Sequence, residues 1–179
     1  MTTYIALLRG INVSGKKKVP MAELRNMLTN MGFLNVKTYI QSGNVVFESQ
    51  EESTAKLATS ITKNIQITFG FEVPVLVKTR ANLEKIFNDN PYTNAEAIAQ
   101  KQVYFVLLKN PPELEFVEAF SSEEYVNEEF KITNSCVYLF CKTGYGKAKL
   151  NNNLVERKLK VESTTRNHAT MVKLLEISS

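Results

Sequence analysis

The sequence predicts an α+β fold made of two related ferredoxin-like halves of the βαββαβ type, the second ending in extra helices. Short apolar runs alternate with amphipathic helical segments along the 179 residues. The run Tyr4–Arg9 is echoed by Tyr104–Lys109, and in both places a helical pattern and a hairpin-like pair of strands follow. A chain of this length accommodates two small units.

The first half is predicted to span residues 1–79. Tyr4–Leu8 is short and apolar, which is typical of a buried strand. Pro20 suits the start of a helix, and apolar residues at helical spacing continue until Gly32. The remaining elements are two hairpin strands, a second helix and a closing strand, at Val36–Ile40, Val45–Phe47, about Ser53–Phe69 and Val73–Val77.

A connecting segment, 80–101, contains a short helix that Asn90 and Pro91 end, and the second half is predicted to span 102–179. Its first elements are a strand, a helix and a strand pair, at Val103–Leu108, Pro112–Phe120, Glu129–Ile132 and Val137–Phe140. We expect it to end in two helices, near Asn153–Lys160 and Arg166–Glu176, where the first half has a helix and a strand.

The composition is that of an ordinary globular protein, with 44% hydrophobic and 22% charged residues. Two cysteines and one histidine do not suffice for a disulfide framework or a usual zinc site, so we expect no metal and no cofactor. Cys136 and Cys141 are predicted to be buried on opposite faces of one strand. No apolar run has the length of a signal peptide or a membrane span, which predicts a cytoplasmic protein without a membrane partner.

The net charge of +4 is unevenly distributed along the sequence. Residues 1–48 carry +4, residues 49–141 carry −5 and residues 142–179 carry +5. If the fold brings the two basic ends together, they form one positive surface for an anionic partner. Otherwise the lysines are dispersed over the solvated surface.

Several motifs together resemble the uncharacterised bacterial family labelled domain of unknown function 1697. They lie at Leu8–Val13, Val19–Leu24, Tyr39–Phe47, Val73–Val75, Asn90–Tyr92 and Thr164–Asn167. The sequence departs from the family at Ser14, where glycine is frequent, and at His168, where tryptophan is frequent. The resemblance implies a compact α+β protein with two similar subdomains, and it brings no established activity, substrate or catalytic residue.

The segment Gly10–Lys17 matches a phosphate-binding loop except that Lys17 replaces the magnesium-binding Ser or Thr. Pro20 delays the following helix, so helix amides do not face the loop, and a Walker-type hydrolase is disfavoured. The segment is either a solvated turn or an anion site. Its candidate ligand-binding residues are Arg9, Asn12, Lys16, Lys17 and Lys18.

A second candidate site is the start of the predicted last helix. Thr164 or Thr165 suits its N-cap, and Arg166 with Asn167 would complete an anion site there. The alternative is an Arg166 that faces solvent or pairs with a glutamate. The glycine and lysine turn that contains Lys147 and Lys149 is a third basic candidate, or an ordinary exposed connection.

Ser42 and Asn44 suit a hairpin turn and could also contact a polar ligand. No catalytic triad or buried carboxylate pair is recognisable. The aromatic pattern of an RNA-recognition module is missing, since only Phe47 and Tyr4 stand near the required strand positions.

The sequence thus favours a protein that binds an anion through converging basic loops, either nucleic acid backbone or a phosphorylated small molecule. Two alternatives stay open: a metal-independent enzyme that acts on a small anionic substrate in the same pocket, and an interaction module that uses the acidic middle segment.

Overall fold

The computed structural model describes all residues from 1 to 179 and contains two four-stranded antiparallel sheets. The chain divides into two compact units. The first unit comprises Met1–Lys85 and the C-terminal Lys173–Ser179, and the second comprises Ile86–Val172. The predicted α+β class with two ferredoxin-like halves is confirmed.

The first sheet has the strand order β2-β3-β1-β4. The elements of this half are β1 (Thr2–Leu8), α1 (Met21–Asn30), β2 (Leu34–Tyr39), β3 (Asn44–Ser49), α2 (Thr54–Phe69) and β4 (Val75–Thr79), followed by α3 (Arg80–Asn88).

Local sequence explains the limits of both helices that cover this sheet. Pro20, extended at ψ 133°, is the residue before the first turn of α1, where its missing N–H leaves no donor unsatisfied. The Ser53 side chain accepts from the Lys56 backbone N–H at the start of α2, and Gly70 ends α2 at a φ of 81°. The predicted α2 is therefore confirmed within one residue.

The second sheet has the order β6-β7-β5-β8. Its half contains α4 (Ala95–Ala99), β5 (Val103–Leu108), α5 (Leu114–Ser121), β6 (Glu128–Ile132), β7 (Cys136–Cys141), a 3-10 turn (Tyr145–Lys147), α6 (Asn152–Leu159), β8 (Ser163–Asn167) and α7 (His168–Ile177).

The two halves repeat each other in detail. The Leu8 N–H donates to the carbonyl oxygen of Gly43 at 2.8 Å, and the Leu108 N–H donates in the same way to Ser135 at 2.9 Å. The backbone N–H of Asn82 donates to the hydroxyl of Thr79 at 3.1 Å at the start of α3. The backbone N–H of Thr170 makes the equivalent bond, to Asn167 Oδ1, at 2.8 Å in α7.

The prediction of a helix beginning at Arg166 is wrong. Ser163–Asn167 is β8, and it pairs antiparallel with β5 so that Thr164 lies opposite Leu107 and Arg166 opposite Phe105. β-Branched Thr164 and Thr165 suit a strand, and the cap falls two residues later, on Asn167. Each half therefore runs βαββαβ and then enters a helix, α3 or α7.

Each sheet buries one face under its own helices. In the first half, Tyr4, Phe47, Leu28 and Ile61 belong to a single apolar core. In the second half, Leu139 and Leu159 belong to the corresponding one. Cys136 and Cys141 are both buried and form no disulfide. No helix combines the length and the apolar character needed to cross a bilayer.

Candidate functional site

Three connections meet at one end of the first sheet: residues 9–20 after β1, 40–43 between β2 and β3, and 70–74 before β4. Backbone hydrogen bonds join them, because Leu8 donates to Gly43 and Arg9 donates to Pro74 at 3.0 Å. We call residues 9–18 the basic loop. It contains five of the residues that the sequence singled out, namely Arg9, Asn12, Lys16, Lys17 and Lys18.

Asn12 holds the basic loop against its neighbours. Its Nδ2 donates to the carbonyl oxygens of Val19 at 3.0 Å and Gln41 at 2.8 Å, and its Oδ1 accepts from the Val19 N–H at 2.8 Å. The whole amide is used in closing the loop and attaching it to the β2–β3 turn. Asn12 therefore positions the loop.

The backbone of the basic loop has a defined shape. Five of its residues have positive φ angles between 47° and 73°: Gly10, Asn12, Ser14, Gly15 and Lys17. The Lys16 N–H donates to the Val13 carbonyl oxygen at 3.0 Å, and the Asn12 N–H donates to Lys17 at 3.1 Å. These internal bonds fix a compact turn, and α1 begins only at Met21, well after it.

The lysines of the basic loop face solvent. Lys16 and Lys18 are exposed, and neither ammonium group forms a salt bridge. Lys17 donates from Nζ to the backbone carbonyl oxygen of Glu72 at 2.7 Å, which leaves its charge without a carboxylate partner at that contact.

The first unit carries twelve Lys and Arg against seven Asp and Glu, a net charge of +5, and the second carries −1.

Ser42 and Asn44 lie in the β2–β3 turn that contacts the basic loop. Asn44 is fully buried, and its Nδ2 donates to the Tyr39 carbonyl oxygen at 3.1 Å and to Ser42 Oγ at 2.9 Å. Between them, Gly43 has a φ of 83°, and a Cβ there would stand 2.5 Å from Leu8 Cβ. These residues shape the turn on which the loop rests.

The basic loop and the β2–β3 turn that it contacts each carry one exposed apolar side chain that was not identified from the sequence. Val13 is 59% exposed in the basic loop, and Ile40 is 51% exposed in the turn, directly before Gln41. Ile40 was expected to end a strand, but β2 ends at Tyr39 and Ile40 has a φ of 50°. Nothing in local sequence signals a left-handed isoleucine, because β-branched residues strongly disfavour that region.

The other predicted residues belong to the second unit. The Thr165 hydroxyl donates to Asn152 Oδ1 at 2.8 Å and accepts from the Tyr145 hydroxyl at 3.3 Å. This contact joins β8 to the connection that carries Lys147 and Lys149, both exposed. The backbone N–H of Lys149 also donates to the buried carboxylate of Glu128.

Arg166 is buried and not at a helix start. Its Nη1 donates to the Thr164 hydroxyl at 2.8 Å and to the Thr165 carbonyl oxygen at 2.9 Å. Burial lowers the pKa of its guanidinium to about 10. Asn167, partly exposed, caps α7 with its side chain. Arg166 is only 9% exposed, and its hydrogen bonds make the guanidinium part of the internal structure of the second unit.

The structure offers neither a metal site of side-chain ligands nor an aromatic surface for base stacking. No group of three or more His, Cys, Asp or Glu side chains lies close enough to hold a metal ion. Tyr4 and Phe47, which alone stand near the strand positions that RNA-recognition modules use for base stacking, are buried in the core and stack on each other with centroids 5.7 Å apart. Their rings are not available to a nucleobase.

The chain is similar in sequence and in fold to known proteins. The profile of the family described as protein of unknown function DUF1697 matches residues 1–138. The chain belongs to this family. A solved structure of a conserved bacterial protein from Streptococcus pneumoniae is similar to this member of the DUF1697 family, with 28% sequence identity, a TM-score of 0.78 and coverage of 99% of both chains. No curated protein matches the chain significantly.

Proposed function

We propose that this member of the DUF1697 family binds the phosphodiester backbone of nucleic acid through the basic loop. The observation that carries the proposal is the exposure of Lys16 and Lys18, without salt bridges, on a loop that Asn12 fixes in place. A lysine that has no carboxylate nearby releases more free energy when it neutralises a phosphate, because no ion pair must be broken first.

A polyanion suits this arrangement better than a small phosphorylated molecule. Small ligands are bound in concave sites in which a few donors converge and most of the ligand surface is buried. The lysines of the basic loop are instead point charges on a solvent-exposed turn. Exposed point charges of this kind contact successive phosphates and position a protein on its nucleic acid.

The charge of the whole first unit supports the same partner. Its net charge of +5 attracts a polyanion over about a Debye length, so the basic loop meets phosphate in a favourable field. The second unit, with a net charge of −1, offers no comparable attraction, although it also carries exposed lysines.

The test compares two pairs of lysines in the same chain. Lys16→Gln with Lys18→Gln removes two charges from the basic loop, and Lys147→Gln with Lys149→Gln removes two exposed charges from the second unit. Fluorescence anisotropy with a 20-nucleotide single strand and a 20-base-pair duplex, of both DNA and RNA, measures affinity at low salt. We expect the first pair to weaken binding roughly tenfold or more and the second pair to have little effect.

Equal losses from both pairs would contradict a localised interface at the basic loop. Failure of the unmodified protein to bind any of these nucleic acids at low salt would overturn the proposal. If binding of a labelled nucleoside triphosphate depended on Lys16 and Lys18 while nucleic acid did not bind, the ligand would be a phosphorylated small molecule instead.

A further inference from the structure

We propose that Val13 and Ile40 contact nucleobases, so that the basic loop prefers nucleic acid with an unpaired or unstacked base over a fully paired duplex. This inference rests on the proposed function and names the form of nucleic acid that the same site would take. Val13 is 59% exposed in the basic loop itself, and Ile40 is 51% exposed in the β2–β3 turn that contacts the loop.

Ile40 is the more informative of the two. Its φ of 50° places a β-branched residue in the left-handed region, where glycine or asparagine fits with far less strain. Residues held in strained backbone conformations cluster at ligand-binding and active sites. About half of the side chain is exposed and so makes no contact within the protein, and contact of that half with an external apolar surface would account for an isoleucine here.

The positions of the two side chains relative to the lysines support this contact. The hydrogen bond from Asn12 Nδ2 to the Gln41 carbonyl oxygen joins the residue before Val13 to the residue after Ile40. Val13 is also bridged to Lys16 through the backbone. These bonds therefore hold Val13 close to Lys16 within the loop, and they hold the turn that carries Ile40 against the same loop.

Proteins that unstack neighbouring base pairs often combine basic side chains with an apolar side chain that inserts between the bases. Basic side chains bind the phosphates on either side, and an aliphatic side chain covers the face of a base that has lost its neighbour. The energetic cost of unstacking is lowest where a base is already unpaired, which gives a preference for bulges and mismatches over regular duplex.

An anionic membrane surface is the competing occupant of a basic and apolar patch. Stable membrane attachment of this kind uses a long amphipathic helix or a lipid anchor. The patch here consists of two short side chains on tight turns, so the apolar area that it offers is small. The small apolar area favours a nucleobase as the occupant, and binding to lipid vesicles is measured separately.

The experiment uses the full chain and two 20-base-pair DNA duplexes, one fully paired and one with a single bulged 2-aminopurine. We expect roughly fivefold or tighter binding to the bulged duplex, the scale for partial burial of two aliphatic side chains, and a change in 2-aminopurine fluorescence on binding. The variant Val13→Thr with Ile40→Asn should bind both duplexes with equal affinity, and it should keep the salt dependence of the unmodified protein because its lysines are unchanged.

These substitutions leave the fold intact by design. Threonine is isosteric with valine at an exposed site, and asparagine tolerates the left-handed backbone of position 40 better than isoleucine does. Ile67→Gln removes another exposed apolar side chain of the first unit, 72% exposed on α2, and should not change the preference. The Lys16→Gln and Lys18→Gln pair should weaken binding to both duplexes and keep the ratio.

The outcomes separate this inference from the proposed function. If both duplexes bind with equal affinity, or if the Val13 and Ile40 variant keeps the preference, the contact with bases is wrong and backbone binding stands. If neither duplex binds at low salt, both fail. If the protein binds vesicles of three parts phosphatidylcholine and one part phosphatidylserine through Val13 and Ile40 and binds neither duplex, the occupant of the patch is a membrane.

Discussion

Asn12 of the basic loop donates a hydrogen bond of 2.8 Å to the carbonyl oxygen of Gln41, 29 residues further along the chain. The same amide closes the loop on Val19 through two more bonds. The Asn12 side chain thus fixes the position of the basic loop relative to the β2–β3 turn. That attachment sets the positions of the loop and the turn, and so of Lys16, Lys18, Val13 and Ile40.

Asn12→Asp is expected to weaken both the fold and the interface. A carboxylate keeps the acceptor for the Val19 N–H, but it cannot donate to the carbonyl oxygens of Val19 and Gln41. Loss of these bonds costs about 1–3 kcal/mol in the free energy of unfolding. Urea unfolding and DNA binding of the same samples measure the two effects, and an unchanged affinity would show that the loop needs no attachment.

Gly43→Ala tests the close approach between the turn and β1. A Cβ at position 43 would meet Leu8 Cβ at 2.5 Å and would also occupy a φ of 83°, so we expect a loss of about 2–4 kcal/mol in the free energy of unfolding. Gly15→Ala is the matched control, because its φ is 72° and its Cβ meets nothing within 4 Å. The control should lose about 1 kcal/mol. Equal losses in urea unfolding would contradict the close contact.

Arg166→Lys tests whether the buried guanidinium supports the second unit. Lysine keeps the charge, but it cannot reproduce the planar donor group that bonds Thr164 and Thr165. We expect a loss of about 1–3 kcal/mol in the free energy of unfolding. Arg157→Lys, an exposed conservative change in the same unit, should have almost no effect. Similar stabilities of the two variants would refute the structural role.

His168 predicts a pH dependence of stability. Burial lowers the pKa of its imidazole below the ordinary value of 6.5 in the folded protein, where it lies beside Phe87 with ring centroids 5.1 Å apart. As the pH falls below about 6.5, the unfolded chain takes up the proton first, so stability falls until the folded pKa is passed.

The substitution His168→Phe should remove this part of the pH dependence. Urea unfolding at pH 7.5, 6.5 and 5.5 measures the difference between the two proteins. We expect the unmodified protein to lose stability relative to His168→Phe across that interval. Parallel curves would mean that the histidine titrates alike in the folded and unfolded states.

The sequence predicts most of this fold because its elements carry local signals. Ser53 and Gly70 mark the two ends of α2, and apolar runs mark β1 and β5. The local sequence of Thr164–Asn167 is compatible with either a helix N-cap or a strand. The segment is a strand because it pairs with β5. Tertiary pairing of that kind has no signature within a short window.

The candidate site, like the fold, was predictable from the sequence only in part. The lysines of the basic loop are visible in the sequence as a cluster of charge, and the glycines beside them as a turn. The function of Asn12 as the attachment point depends on Gln41, which no spacing rule connects to it. The burial of Arg166 and the left-handed conformation of Ile40 likewise follow from the folded chain alone.

The most direct test of the account is the salt dependence of nucleic acid binding. The logarithm of the binding constant for a 20-base-pair duplex is measured between 20 and 200 mM KCl, roughly one decade around physiological ionic strength. We predict a steep linear fall for the unmodified protein and a slope smaller by about two for the Lys16→Gln and Lys18→Gln variant. A variant slope equal to that of the unmodified protein would contradict the central claim that the basic loop binds phosphate.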